Sequence, residues 1–91
     1  MNPEAHLIVR GFVQGVFYRS EAREKARELK ITGWIKNEND GSIKIRAQGS
    51  KENLEKFIQW CRSGPPEARV EKVDVEFNSN HTESFNDFEI K

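Results

Sequence analysis

Apolar and polar positions along the chain change period several times, and each change marks an element. "HLIVRG" from His6 to Gly11 is a short apolar run closed by a glycine, the pattern of a central strand. From Tyr18 to Lys30 the spacing becomes helical. Tyr18, Ala22, Ala26 and Leu29 fall on one face and charged residues fill the others. "TGWIKN" (32–37) predicts a second strand, and the turn "NENDG" with its Asp40-Gly41 pair leads into "SIKIRA", where Ile43, Ile45 and Ala47 alternate with polar residues. Ser50 is placed to cap a second helix carrying Leu54, Phe57, Ile58 and Cys61 at i, i+3, i+4 and i+7. Gly64 can end that helix, and Pro65 and Pro66 prevent its continuation. "VDVEF" alternates again, with Val73, Val75 and Phe77 on one face. "NSNHTES" reads as a polar loop, and "FNDFEIK" as a short last strand through Phe88 and Ile90.

The order is β-α-β-β-α-β with a short fifth strand. Such an arrangement predicts an α+β fold, a ferredoxin-like sandwich with an antiparallel sheet and both helices on one face. At 91 residues, positions 1–91 read as a single domain burying roughly 65% of its unfolded surface. Hydrophobic residues at 35% and charged residues at 33% fit a polar but globular chain.

Charge narrows the function. Fifteen basic residues balance fifteen acidic ones, so there is no footprint for nucleic acid and no basic stripe for a membrane surface. An RNA reader of this fold would place aromatics on its central strands, and "SIKIRA" has none. Cys61 is the single cysteine, no apolar run approaches the roughly 20 residues of a membrane span, and "MNPEAH" lacks the form of a signal peptide. A cytoplasmic location, a core place for Cys61 and a monomeric protein are the corresponding expectations, with no cofactor and no metal. His6 and His81 lack partners at metal-ligand spacing. His6 reads as structural, His81 as loop surface, Arg23 and Arg27 as solvated, Trp34 and Trp60 as packing residues, and Glu38 and Asp40 as turn residues.

The chemistry concentrates in "GFVQGVFYR", Gly11 to Arg19, which joins the first strand to the first helix. Glycines let the backbone curl so that free amides at a helix start converge, and Arg19 adds a guanidinium fork suited to phosphate or carboxylate oxygens. Neither a Gly-Lys-Ser/Thr phosphate loop nor the dinucleotide fingerprint is present. A tight turn followed by a surface arginine fits the same residues, and the pattern alone leaves both open. Strands one and two run parallel in a βαβ unit, so Asn37 ends near the same sheet edge. With strand three between them the separation is about 9–10 Å, room for a phosphate and an attacking water. Asn37 also suits the start of the hairpin turn.

Gly11–Arg19 resembles the first signature of the acylphosphatase family, Gly-x-Val-Gln-Gly-Val-x-Phe/Tyr-Arg, at every specified position. "GWIKNENDGSIKIRAQG" resembles the second, with Gly33, Trp34, Lys36, Asn37, Gly41 and Gly49 at the family's spacing, and "GPPEARV" is similar to the family's stretch before its fourth strand. Ile35 and Ile43 are larger than the family's usual residues and change only packing volume. The resemblance implies that Arg19 binds the substrate phosphate and Asn37 positions the nucleophilic water. It also implies that the backbone N–H groups of Gln14, Gly15, Val16, Phe17, Tyr18 and Arg19 complete the phosphate site. The implied reaction is metal-free hydrolysis of a small acyl phosphate to a carboxylate and inorganic phosphate. The alternative is a non-catalytic anion-binding regulatory module of the same fold.

Overall fold

A computed structural model describes residues 3–78 and 83–91. Its elements are β1 (Glu4–Phe12), α1 (Tyr18–Glu28), β2 (Thr32–Asn37), β3 (Ile43–Gln48), α2 (Lys51–Ser63), β4 (Arg69–Asn78) and β5 (Phe88–Ile90). The sheet order is β4-β1-β3-β2-β5. β3 lies antiparallel between β1 and β2, so β1 and β2 run parallel as the βαβ reading requires. The short fifth strand pairs parallel with β2, Gly33 opposite Phe88 and Ile35 opposite Ile90, which makes the five-stranded sheet mixed around its antiparallel four-stranded part. The C-terminal ends of β1, β2 and β5 therefore share one edge.

Period two puts Ala5, Leu7 and Val9 of β1, Ile35 of β2 and Ile43, Ile45 and Ala47 of β3 on the face the helices cover. Tyr18, Ala22 and Ala26 of α1 and Leu54, Phe57, Ile58 and Cys61 of α2 close that core, with Leu29 packed at its margin. Alanines at 22 and 26 let α1 approach the sheet closely. Ser50 caps α2 by accepting from the Asn53 amide at 3.2 Å, and Gly64 ends it. Val73, Val75 and Phe77 stand opposite Val9, Leu7 and Ala5 on the core side, but β4 is an edge strand and Phe77 stays 56% exposed.

The open face of the sheet carries a polar cluster that sequence pattern does not announce. Glu4 is fully buried there and accepts from Arg46 Nε and Gln48 Nε2, both at 2.8 Å, and it shares a 2.7 Å hydrogen bond with His6 Nε2. Gln48 also donates to the Glu83 carbonyl, Arg46 pairs with the Glu83 carboxylate, and the Phe85 ring lies 5.2 Å from the Arg46 guanidinium carbon. Residues 83–85 thus cover this face on the way to β5, which Arg27 then clamps to α1 through a two-pronged bond to Asp87 at 3.1 and 2.9 Å. His81 and most of the expected 78–84 loop fall outside the described residues.

Candidate active site

The segment between β1 and α1 is shaped by two left-handed residues. Gly15 takes φ 77° with open space around its missing Cβ. Phe17, at the N-cap of α1, takes φ 67° and ψ 15°, a conformation that costs a bulky residue about 1–3 kcal/mol. Among the described residues no side chain caps this helix start. Among the described residues, no backbone amide from Gln14 to Phe17 donates to a turn or loop carbonyl, and the amides of Tyr18 and Arg19 belong to the unpaired first turn. The concave stretch of free N–H groups at the positive end of α1 is an anion-binding geometry.

Side chains fix that stretch from both sides. Val16 is buried, and Tyr18 is inserted into the core, its ring 5.5 Å from Trp60 and its hydroxyl donating to the Cys61 carbonyl at 2.7 Å. Burial drives the Tyr18 hydroxyl well above its ordinary pKa, so it holds its proton as a structural donor. The Gln14 side chain reaches the β2–β3 hairpin, donating to the carbonyls of Glu38 at 2.8 Å and Ser42 at 2.9 Å. It ties the loop to the turn that follows Asn37. The resemblance assigns Gln14 only a backbone role, and this side-chain anchor is legible only once the two loops are seen side by side. The turn is itself closed by Asp40, whose Oδ1 accepts from the Ser42 amide at 2.9 Å and the Ser42 hydroxyl at 2.6 Å. These two bonds, hydroxyl first, hold the Asp40 carboxyl below its usual pKa.

Arg19 projects from the first turn of α1, half-buried and without an ion-pair or hydrogen-bond partner among the described residues. It lines a cleft of about 290 Å³ with Val13, Gly15, Phe17, Ser20 and Ile90, the volume of one small ligand. Asn37 stands at the end of β2, two strand spacings (about 9–10 Å) from β1. Its Oδ1 is buried and finds no partner among the described residues. A buried acceptor left without a partner costs about 1–3 kcal/mol, which a water or a ligand group meeting it would offset. The structure therefore brings Arg19, the loop amides and Asn37 to one edge.

The remaining candidates sort differently. His6 is held by Glu4 on the open face. Cys61 is buried in the core, and burial pushes its thiol up to about 12, which makes it inert. Lys36 and Lys91 stack on Trp34 at 5.7 and 5.0 Å. Arg23 departs from the solvated reading: it is half-buried and its Nε has no partner among the described residues, whereas Arg27 is paired with Asp87. Among the described residues no three His, Cys, Asp or Glu side chains gather as a metal site would require, and no helix is long and apolar enough to cross a membrane.

The acylphosphatase family model matches residues 5–90. An acylphosphatase of Pelotomaculum thermopropionicum is 45% identical over 86 residues, 94% of this chain and 92% of that protein. The solved acylphosphatase of Bacillus subtilis superposes with a TM-score of 0.93 at 32% identity, covering 98% of both chains. That of Coxiella burnetii gives 0.91 at 37% identity, covering 99% of this chain and 94% of its own. Two helices packed on a five-stranded mixed sheet are the class of protein the fold defines. This chain belongs to the acylphosphatase family.

Proposed function

We propose that the chain hydrolyses the carboxyl–phosphate bond of small acyl phosphates, with the β1–α1 loop and Arg19 binding the phosphoryl group and Asn37 positioning the attacking water. The observation that carries this reading is the pairing, on one edge, of a guanidinium and amides with a buried amide oxygen, none of which has a partner among the described residues. Oriented amides and a guanidinium fork stabilise the charge spread over the phosphoryl oxygens, and phosphoryl transfer asks the protein for little else. Asn37 Oδ1 accepts a hydrogen from the water and turns a lone pair towards phosphorus. The water oxygen bonds to phosphorus, the bond from phosphorus to the carboxylate oxygen breaks with its electron pair, and one water proton passes to the phosphate product or to solvent. A carboxylate leaves without protonation, so no general acid is required and no metal enters the scheme.

The same reading takes the protein to be a cytoplasmic monomer acting on a free metabolite, with inorganic phosphate as product and competing ligand and without nucleic-acid or membrane partners. Zero net charge supports the lack of nucleic-acid and membrane partners, and the single buried cysteine suits a reducing compartment. The test is release of phosphate from benzoyl phosphate in the presence of a chelator, against a phosphate monoester at equal concentration. Hydrolysis of the acyl phosphate alone is expected. Activity abolished by chelator and restored by a divalent ion contradicts the metal-free scheme.

A further inference from the structure

Arg23 is a half-buried cation without a counter-charge. Its Nε is shut off from solvent and finds no partner, and the side chain makes no ion pair among the described residues. On α1 the positions three and four away from it are Arg19, Ser20, Ala26 and Arg27, so no carboxylate occupies a neighbouring place on the helix. Glu21, Glu24 and Glu28 are exposed and stand beside this stripe, with Glu28 paired to Lys25. Asp87 meets the stripe just before β5, but both its carboxylate oxygens are held by Arg27. Arg27 is therefore compensated at one end, while Arg23 and Arg19 carry uncompensated charge towards the cleft that Arg19 lines.

We propose that Arg23 is a second cation of the phosphate site, one helical turn behind Arg19, which strengthens anion binding through its charge without touching the bound group. The inference rests on the acyl-phosphate reading above where substrate is concerned, and on the anion cradle alone where inorganic phosphate is concerned. The chain as a whole is neutral, so any field at this edge comes from local arrangement. Residues at i and i+4 stand about 5–6 Å apart at Cβ, which puts the Arg23 charge roughly 9 Å from a group held by Arg19. Over that distance, in a water-like dielectric, one charge tightens binding of a dianion about fivefold. Like charges at this spacing also repel, so Arg23 pushes the Arg19 guanidinium forward over the loop amides. The buried Nε keeps the Arg23 charge beside the helix instead of letting it swing out into water. Substrate and transition state carry the same total charge, so the field stabilises both alike; it lowers KM and leaves kcat. Arg23 is thus a positioning residue for the anion and not a catalytic one.

The experiment measures calorimetric binding of inorganic phosphate, and kcat and KM for benzoyl phosphate, in the wild type, Arg23→Gln and Arg23→Lys at about 0.01 M and about 1 M ionic strength, where the screening length falls from roughly 30 to 3 Å. Expected at low salt is that Arg23→Gln weakens phosphate binding and raises KM by the same factor, about fivefold, with kcat within about twofold of wild type. At high salt the two proteins should converge, and Arg23→Lys, which keeps the charge, should follow the wild type throughout. Phosphate affinity unchanged in Arg23→Gln at low salt overturns the inference and leaves the hydrolase reading intact. A deficit equal at both salts, or present in Arg23→Lys as well, overturns it in favour of a packing role. A fall in kcat as large as that of Arg19→Ala overturns it in favour of direct contact with the reacting group. A wild type that binds phosphate but hydrolyses no benzoyl phosphate overturns the hydrolase reading, and the phosphate arm then still decides the role of Arg23.

Discussion

At the scale of single residues the proposed site is a set of groups without partners among the described residues, Arg19, Asn37 Oδ1 and the loop amides, held by groups that are engaged. Gln14 is the clearest of the latter. Its two hydrogen bonds to Glu38 and Ser42 join the phosphate loop to the turn behind Asn37, and so set the distance between the two halves of the site. Each carbonyl keeps a second donor, Gly41 N on Glu38 and Glu38 N on Ser42, so removing the amide leaves nothing orphaned. Gln14→Leu should therefore lose about 1–2 kcal/mol, roughly 5–10 °C in Tm, and raise KM for an acyl phosphate. Unchanged Tm and KM would show that the side chain is a bystander. Arg19 and Asn37 were legible as candidates because glycine spacing, a helix start and strand polarity locate them without coordinates. The Gln14 anchor was not, because it spans 24 and 28 positions between loops whose approach no local pattern encodes. Phe17 was equally hidden: its left-handed backbone is imposed by the loop, not by the residue's own preference.

At the scale of elements, local patterns and tertiary packing agree almost everywhere. The stripes of α1 and α2 are the buried faces, Ser50 and Gly64 bound α2 as their chemistry dictates, and Asp40-Gly41 makes the hairpin. What periodicity could not supply was the place of β5, since three residues carry no signal for which strand they pair with. Its position is fixed by side chains far apart in sequence: Arg27 holding Asp87, and the Glu4–Arg46–Gln48 cluster holding residues 83–85 across the open face. The solvated reading of Arg27 and the structural reading of His6 both touch this strap, one paired with Asp87 and the other with Glu4. Gly33 shows the same dependence on long-range fit. At φ 140° an added Cβ would fall 1.8 Å from the Arg46 carbonyl, a collision only the β2–β3 pairing creates.

At the scale of the whole molecule, acid stability should report the buried cluster. Burial alone would raise the Glu4 carboxyl, but the hydrogen bonds from Arg46, Gln48 and His6, with the Arg46 charge, outweigh it and hold the pKa below its ordinary 4.5. A carboxyl lowered in the folded state stabilises the fold above its unfolded pKa, and that stability is lost as pH falls through the folded value. Melting temperature should thus hold down to about pH 5 and decline below about 4.5. Asp40, Asp74 and Asp87 shift the same way but are exposed, so high salt screens their share and leaves that of Glu4. Glu4→Gln should flatten the acid limb in high salt; a limb identical to wild type would assign it elsewhere. The central claim is narrower: Arg19 and the loop hold phosphate, and Asn37 acts only on the water. It is tested most directly by measuring turnover of benzoyl phosphate and calorimetric phosphate binding in Arg19→Ala and Asn37→Ala side by side. The expected result is that both lose turnover by about 10²-fold or more, while Asn37→Ala binds phosphate nearly as the wild type does and Arg19→Ala binds it far more weakly. Loss of phosphate binding in Asn37→Ala as severe as in Arg19→Ala, or full turnover without Asn37, would contradict it.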